Sequence, residues 1–373
     1  MKIDEIKKYI DDKSFKKAVG IDGESEVYVQ LLGQGEYNVN YVFGVSGEEK
    51  YVLRLNTASQ MHLENQIEYE YNALEILKNS SRTPMPIYLD DSREKLDYGV
   101  LVMEYLPGVA LDYTKDLHIA AACLADIHST EIPKEHILIS PQDPLKAMLE
   151  ECEDMSSVYL NSNSADETSK EIISRLLDKA RLIVKKRSCD KCRAIIDSDT
   201  VDIDKFDSDD LYVDTLDRYA EDRDINKVEQ REGLHIINTE LNSGNFLING
   251  EGQNNYIIDW EKPLIGEVEQ DLGHFLAPTT TLWKTDIRLS KEDIDEFVRM
   301  YIKEVNGRFD IDGIYEKLNT YITFTCLRGI TWSAMAWVEY QSPDKLIRNE
   351  DTYRKIKSYL EEDFLISIER DFF

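Results

Sequence analysis

Asn245-Phe246-Leu247-Ile248, Asn249-Gly250-Glu251-Gly252-Gln253-Asn254-Asn255 and Tyr256-Ile257-Ile258-Asp259 form one continuous segment. Its two short apolar runs flank a polar Gly/Asn turn, the pattern of a β-hairpin. Antiparallel pairing would return Asp259 to the end where Asn245 sits. An amide oxygen and a carboxylate would then face each other across one open edge. Such a pair suits Mg²⁺, which prefers oxygen donors and shares its coordination with phosphates. A further carboxylate, Glu240, stands shortly before Asn245.

Working towards the N-terminus, residues 27–32, 39–45 and 50–55 are β-rich runs. They are separated by Gly33-Gln34-Gly35-Glu36-Tyr37-Asn38 and by Ser46-Gly47-Glu48-Glu49. Over residues 59–78 the period becomes helical, with Ile67, Tyr71, Leu74 and Leu77 on one stripe. Glu70 lies beside that stripe, and a carboxylate at a core-facing edge needs a partner. Two more strands are expected, around Ile87 and over residues 98–104. Tyr105-Leu106-Pro107-Gly108 then breaks the chain.

The remainder reads as mostly helical. Ile119, Cys123 and Ile127 share a face over residues 116–129, and Ile172, Leu176, Ala180 and Ile183 share one over residues 169–186. Residues 198–210 are strongly acidic with little to bury, which reads as a surface loop. From residue 291 onward the pattern is helical again and carries Trp332, Trp337 and Tyr340. These aromatics could offer a π-face to a cation, although their spacing fits helical packing better.

The 373 residues suffice for two or three packed lobes, and 42% hydrophobic content is ordinary for a globular chain. A net charge of −29 argues against nucleic acid as a partner, since binding needs Lys and Arg against phosphates. The same charge could attract a cationic small molecule, or serve solubility alone. No apolar run approaches the ~18–20 residues of a membrane span, and Met1-Lys2-Ile3-Asp4-Glu5 does not open a signal peptide. The expectation is a cytoplasmic enzyme with no membrane partner. The five cysteines are expected as free thiols. Cys189 and Cys192 have metal-ligand spacing, but one CxxC is half a zinc site, and an exposed turn is the simpler reading.

The order of these features resembles the aminoglycoside phosphotransferase and choline kinase group of the protein-kinase-like superfamily, over roughly residues 27–273. That resemblance implies an α+β, bilobal protein-kinase-like fold, with a small antiparallel β-sheet N-lobe and a larger helical C-lobe. The implied division is a nucleotide-binding lobe over residues 1–106 and a helical lobe over residues 107–373. The second lobe would carry the catalytic hairpin and a helical, acidic insertion at about residues 131–233.

Residue by residue, Gly33, Gly35 and Asn38 fall in a segment similar to the family's phosphate-covering loop. Arg54 sits where the family places a basic residue against the nucleotide phosphates, and Glu70 where its ion-pair partner stands. The backbone of Glu104 and Leu106 corresponds to the hinge that bonds the purine edge. Leu124-Ala125-Asp126-Ile127-His128 resembles the family's Leu-x-x-Leu-His helix end, and His128 is expected to be structural. The family's catalytic loop usually reads His-Gly-Asp-Leu-His-x-Gly-Asn. Here it reads Asn238-Thr239-Glu240-Leu241-Asn242-Ser243-Gly244-Asn245, with Glu240 in place of the catalytic Asp. The extra methylene displaces the carboxylate by on the order of 1 Å, a shift that can cost about a hundredfold in rate. Ile257-Ile258-Asp259-Trp260-Glu261 matches the metal-binding motif closely, so Asn245 and Asp259 are the expected Mg²⁺ ligands. Asp271 is expected to brace the catalytic loop.

The resemblance thus implies a kinase that moves the γ-phosphate of ATP or GTP to a hydroxyl of a small molecule. The acceptor would be hydroxylated and could be cationic: an aminoglycoside, an amino sugar or an amino alcohol. Glu261 could receive its amine. The alternative is a nucleotide-binding pseudokinase that acts as an interaction scaffold, an idea prompted by Glu240 and by the loss of both loop histidines.

Overall fold

Helices α1 (Ile3–Ile10) and α2 (Lys13–Ala18) come first, before any element the sequence predicts. The Asp12 carboxylate caps α2 by accepting from the Ser14 and Phe15 backbone N–H groups at 2.9 and 3.1 Å. The computed structural model describes residues 3–35, 37–45, 50–59, 61–188, 233–341 and 349–373. Cys189, Cys192 and the acidic run at 198–210 lie outside the described residues.

Five strands follow in one antiparallel sheet: β1 (Val27–Gln34), β2 (Asn38–Val45), β3 (Lys50–Asn56), then, after helix α3 (Gln66–Leu77), β4 (Pro86–Asp90) and β5 (Gly99–Glu104). Their spatial order is β1-β2-β3-β5-β4. Side chains alternate between faces along a strand. Tyr41, Phe43, Leu53, Leu55, Val100 and Val102 therefore share one face, where they bury Ile6, Tyr9, Ile10 and Phe15 of α1 and α2. Each large apolar side chain buried in this way contributes about 1.5–3 kcal/mol. The opposite face carries Val52, Arg54, Leu101 and Met103, and there a Cβ on Gly99 would meet Ile67 of α3 at 2.5 Å. Alternation thus puts Arg54 on the same side of the sheet as α3.

The helix expected from residue 59 begins at Gln66. Ser59 Oγ accepts from the Leu63 N–H at 2.9 Å and donates to Gln66 Oε1 at 2.6 Å, closing a turn ahead of the helix.

Next come α4 (Leu117–His128), α5 (Pro144–Leu160), α6 (Glu167–Ser188) and β6 (His235–Ile237), followed by the short hairpin β7 (Phe246–Leu247) and β8 (Tyr256–Ile257), then β9 (Leu264–Gly266). The chain ends with α7 (Val268–Leu276), α8 (Pro278–Lys284), α9 (Lys291–Val305), α10 (Ile314–Gln341), α11 (Glu350–Tyr359) and α12 (Glu362–Phe372). Helix α4 is buried nearly all round and packs on α9. An antiparallel sheet in the N-terminal region and a helical C-terminal part make the α+β arrangement expected from the sequence.

Two compact units contain these elements. One comprises Met1–Pro141 and Gly233–Ile322, the other Gln142–Glu232 and Thr323–Phe373. Every residue expected at the catalytic and nucleotide sites falls in the first. In the second, Trp337 packs edge-on to Tyr159 at 5.6 Å, and Tyr340 stacks on Tyr353 at 5.1 Å. Both aromatics are thus engaged in helix packing. Cys123, Cys152 and Cys326 are buried free thiols. Among the described residues no helix is long and apolar enough to cross a membrane.

Gly108 holds φ at +148°, and a Cβ there would sit 2.8 Å from the backbone of Leu247 in β7. Gly108→Ala is therefore expected to destabilise the fold by about 1–3 kcal/mol. Urea unfolding of the variant against wild type checks this.

Candidate active site

Two antiparallel ladders nest one inside the other. The outer ladder pairs β6 with β9: His235 with Gly266, Ile236 with Ile265, Ile237 with Leu264. The inner one is the hairpin, pairing Phe246 with Ile257 and Leu247 with Tyr256. Ile248 leaves the hairpin and exchanges backbone bonds with Val109 instead. Between the ladders run two loops, residues 238–245 and 258–263, which the pairing forces to face each other. Ile258 N–H donates to the Asn245 carbonyl at 2.8 Å, Asn238 Nδ2 to the Asp259 carbonyl at 2.8 Å, and Thr239 Oγ1 to the Lys262 carbonyl at 2.8 Å.

The first loop is held from within and from below. Asp271 is fully buried, and its carboxylate accepts the backbone N–H groups of Asn238 at 2.8 Å and Thr239 at 2.6 Å. His128, itself fully buried, lies between Asp271 Oδ2 (3.2 Å from Nε2) and the Tyr301 hydroxyl (2.7 Å from Nδ1). The bracing expected of Asp271 and the structural place expected of His128 are both visible in these bonds. The two asparagines that stand where the family has histidine also serve the loop. Asn238 Oδ1 accepts from the Glu240 N–H at 3.2 Å, and Asn242 Oδ1 accepts from the Gly244 N–H at 2.9 Å. Asn245 Oδ1 accepts from the Asn242 N–H at 2.8 Å.

Two non-glycine residues here adopt the left-handed region: Thr239 at φ 73° and Asp259 at φ 68°. For β-branched Thr239 this costs on the order of 1–3 kcal/mol and persists only because its surroundings over-determine it.

Arg54 joins the sheet to this loop pair. It is buried, and its guanidinium pairs with Glu70 of α3 and with Asp259 at 2.9 Å, while Nε donates to Asn40 Oδ1 at 3.0 Å. Burial works against its charge, but the carboxylates of Glu70, Asp259 and Glu261 more than offset that and hold it protonated. Burial raises the Glu70 pKa, and Arg54 reverses part of the rise. Glu261 is pushed up to about 8, first by burial and then by Asp259, Glu70 and Glu240 nearby. Its side chain accepts a hydrogen bond from Asn38 Nδ2, so Asn38 bridges β2 to the second loop. Asn40, Lys262 and the Asn38–Glu261 link carry no local sequence signal; cross-strand register and tertiary pairing bring them here.

At the end of β5, Glu104 gives its N–H to the Met85 carbonyl at 3.0 Å. Leu106 is buried just beyond. Gly33 pairs with Asn40, and a Cβ there would meet nothing within 4 Å; at Gly35 the nearest atom would be 3.8 Å away. Neither has a left-handed φ, so no contact within the protein demands glycine at these positions.

Asn245 and Asp259 are hard oxygen donors at one end of the hairpin, and Asp259 is 40% exposed although one oxygen pairs with Arg54. Among the described residues no group of three or more His, Cys, Asp or Glu could hold a metal by itself. Two oxygen donors of this kind suit a hard ion only if other ligands complete its shell. A cleft of about 770 Å³ lies elsewhere in this unit, lined in part by Arg82, Asp126, Asn255 and Lys303. There Arg82 pairs with Asp126 at 2.9 Å and donates to the Asn255 carbonyl at 3.2 Å, a brace between α4 and the hairpin turn.

The family described as "Phosphotransferase enzyme family" matches residues 29–189. Among solved structures, spectinomycin phosphotransferase in complex with ADP and spectinomycin is similar at 15% identity and TM-score 0.60, covering 99% of this chain and 97% of its own. Choline kinase from Cryptosporidium parvum Iowa II gives 13% identity and TM-score 0.59, covering 99% and 96%. Ethanolamine kinase from Plasmodium vivax gives 13% and 0.56, covering 97% and 90%. No curated protein sequence matches the chain significantly. The resemblance to the aminoglycoside phosphotransferase and choline kinase group is thus borne out, and the fold is kinase-like.

Two measurements check the site's energetics. Asp271→Asn turns one acceptor oxygen into a donor against the Asn238 and Thr239 N–H groups; the expected loss is about 1–3 kcal/mol in urea unfolding. A carboxyl whose folded pKa is raised binds more protons folded than unfolded between its ordinary value and about 8, so its contribution to stability falls as pH rises through that window. Without metal or nucleotide, Glu261→Gln is expected to melt above wild type at pH 8.5, with the gap closing towards pH 5.

Proposed function

We propose that this kinase-like chain is a magnesium-dependent small-molecule kinase, which transfers the γ-phosphate of ATP or GTP to an alcohol group. The observation that carries the reading is the Arg54 guanidinium held between Glu70 and Asp259, beside the loop that bears Glu240. A buried cation fixed by one carboxylate and adjoining another is what positioning of a charged phosphate chain and its metal requires.

In this reading the Glu104 carbonyl and the Leu106 N–H take the purine edge. Gly33 and Gly35, together with Asn38, lie at the loop that covers the phosphates, and Arg54 fixes their position. Asn245 and Asp259 would hold Mg²⁺, which supplies charge neutralisation at the β- and γ-phosphate oxygens. Glu240 orients the acceptor hydroxyl and accepts its proton as the oxygen bonds to the γ-phosphorus. The bond from that phosphorus to the bridging oxygen breaks, and the nucleoside diphosphate leaves. Spectinomycin, choline and ethanolamine, from which the structural relatives take their names, all carry a hydroxyl and a cationic or protonatable nitrogen. Together with the net charge of −29, they support a hydroxylated, cationic acceptor. Glu240 in place of Asp also favours a second reading, a nucleotide-binding scaffold without turnover.

A thermal-shift titration with ATP and with GTP, each with and without Mg²⁺, tests the proposal. A ligand at 100 times its Kd stabilises by about 2.7 kcal/mol, so the shift is readable. The expected result is a magnesium-dependent rise with one nucleotide that disappears in Asp259→Ala. No rise with either nucleotide would overturn the kinase reading. A rise without nucleoside diphosphate formation in the presence of hydroxylated amines and ammonium alcohols would move the assignment to the scaffold.

A further inference from the structure

We propose that Lys262 is a positioning residue that re-aims the longer carboxylate of Glu240, so that the loop works with Glu where its relatives carry Asp. The proposal rests on the kinase reading above for its catalytic meaning, but the pairing itself can be tested apart from it.

Lys262 Nζ lies 3.6 Å from Glu240 Oε1, with side chains only 18% and 29% exposed. A glutamate has one more rotatable bond than an aspartate, so its carboxylate can sweep a larger volume, and holding it in one place needs an external partner. A lysine ammonium suits this role because its charge attracts without demanding one hydrogen-bond direction. Ion pairs between flexible, solvated side chains impose little order. This one differs because the backbone carrying Lys262 is fixed on three successive carbonyls. Glu261 O accepts from Gln66 Nε2 at 2.6 Å, Lys262 O from Thr239 Oγ1 at 2.8 Å, and Pro263 O from the Tyr69 hydroxyl at 2.6 Å. Gln66 and Tyr69 are buried on α3, so the lysine is anchored to a helix on one side and to the catalytic loop on the other.

The Thr239 bond is the second half of the device. Thr239 immediately precedes Glu240 and holds φ at 73°, which turns the loop. Its hydroxyl ties that turn to the residue whose ammonium meets the Glu240 carboxylate. Main chain and side chain of Glu240 are therefore registered against the same neighbour. Asn242, two residues on, spends its amide on the Gly244 N–H and the Glu240 carbonyl, so the loop itself brings no cation to this carboxylate.

A double-mutant cycle on the full-length protein tests the proposal, with magnesium-dependent ATP and GTP hydrolysis as the readout. Misplacing a reacting group by a fraction of an ångström to 1 Å costs up to about a hundredfold, so Lys262→Met is expected to lower kcat about tenfold or more while leaving the nucleotide KM nearly unchanged. Lys262→Arg should recover much of the loss. In the Glu240→Asp background the lysine has no long carboxylate to aim, and adding Lys262→Met should lower kcat less than about twofold; residues that act as a unit fail to add in this way. Equal losses in both backgrounds would overturn the proposal and make Lys262 a general counter-charge for the acidic cluster.

Carboxyl ¹³C NMR on glutamate-labelled protein, with the Glu240 signal assigned by its loss in Glu240→Gln, reads the pairing without catalysis. The signal should shift in Lys262→Met and stay near its wild-type place in Lys262→Arg; an unmoved signal in Lys262→Met overturns the proposal. A signal that shifts in Lys262→Met, while the wild-type protein turns over neither nucleotide with or without a hydroxylated acceptor, would sink the kinase reading and leave the positioning contact standing.

Discussion

The guanidinium of Arg54 is the point on which the rest of this unit converges. Sheet alternation places it on the α3 side of β3, where it meets Glu70 from the helix and Asp259 from the loop after the hairpin. Three separately formed elements thus share one buried cation. A buried charge without partners would cost several kcal/mol, so the arrangement stands only when all three are in place. Glu70 on a core-facing edge, unexplained by its own helix, becomes intelligible as the counter-charge.

Around that point the chain builds rigidity from short pieces. Strands of two and three residues are too short to persist alone, yet the β6–β9 and β7–β8 ladders clamp both loops between them. Asp271 supplies the complement by satisfying two loop N–H groups from below, and His128 and Tyr301 line up behind it. The left-handed turns at Thr239 and Asp259 are sustained by this frame. Thr239 directly precedes Glu240, and Asp259 is itself one of the acidic groups gathered here.

Electrostatics sets a second theme. Glu70, Glu240, Asp259 and Glu261 gather near Arg54 and Lys262, and burial together with the repulsion of the other carboxylates raises the Glu261 pKa. Such a concentration of negative charge favours bound cations, and it makes the unliganded site sensitive to alkali. The same field would disfavour a phosphate chain unless positive charge arrived with it, which connects nucleotide binding to metal binding in the proposed function.

The sequence by itself determined the elements whose pattern is local. The strand runs of the N-terminal sheet, the stripe of α3 and the hairpin between Asn245 and Asp259 could be read from residue periodicity and turn chemistry, while the catalytic-loop and metal-site motifs were legible only through the family resemblance. It did not determine α1 and α2, whose apolar residues make sense only against the outer face of the sheet, nor the start of α3, which a Ser59 turn delays to Gln66. Nor did it show that Asn38 reaches Glu261, or that Lys262 stands beside Glu240. Those contacts join residues far apart in the chain, or across two loops, and only the tertiary structure decided them. The reason is physical: period and propensity act over a few neighbours, whereas a buried ion pair or a left-handed threonine is chosen by whatever the finished packing leaves to satisfy.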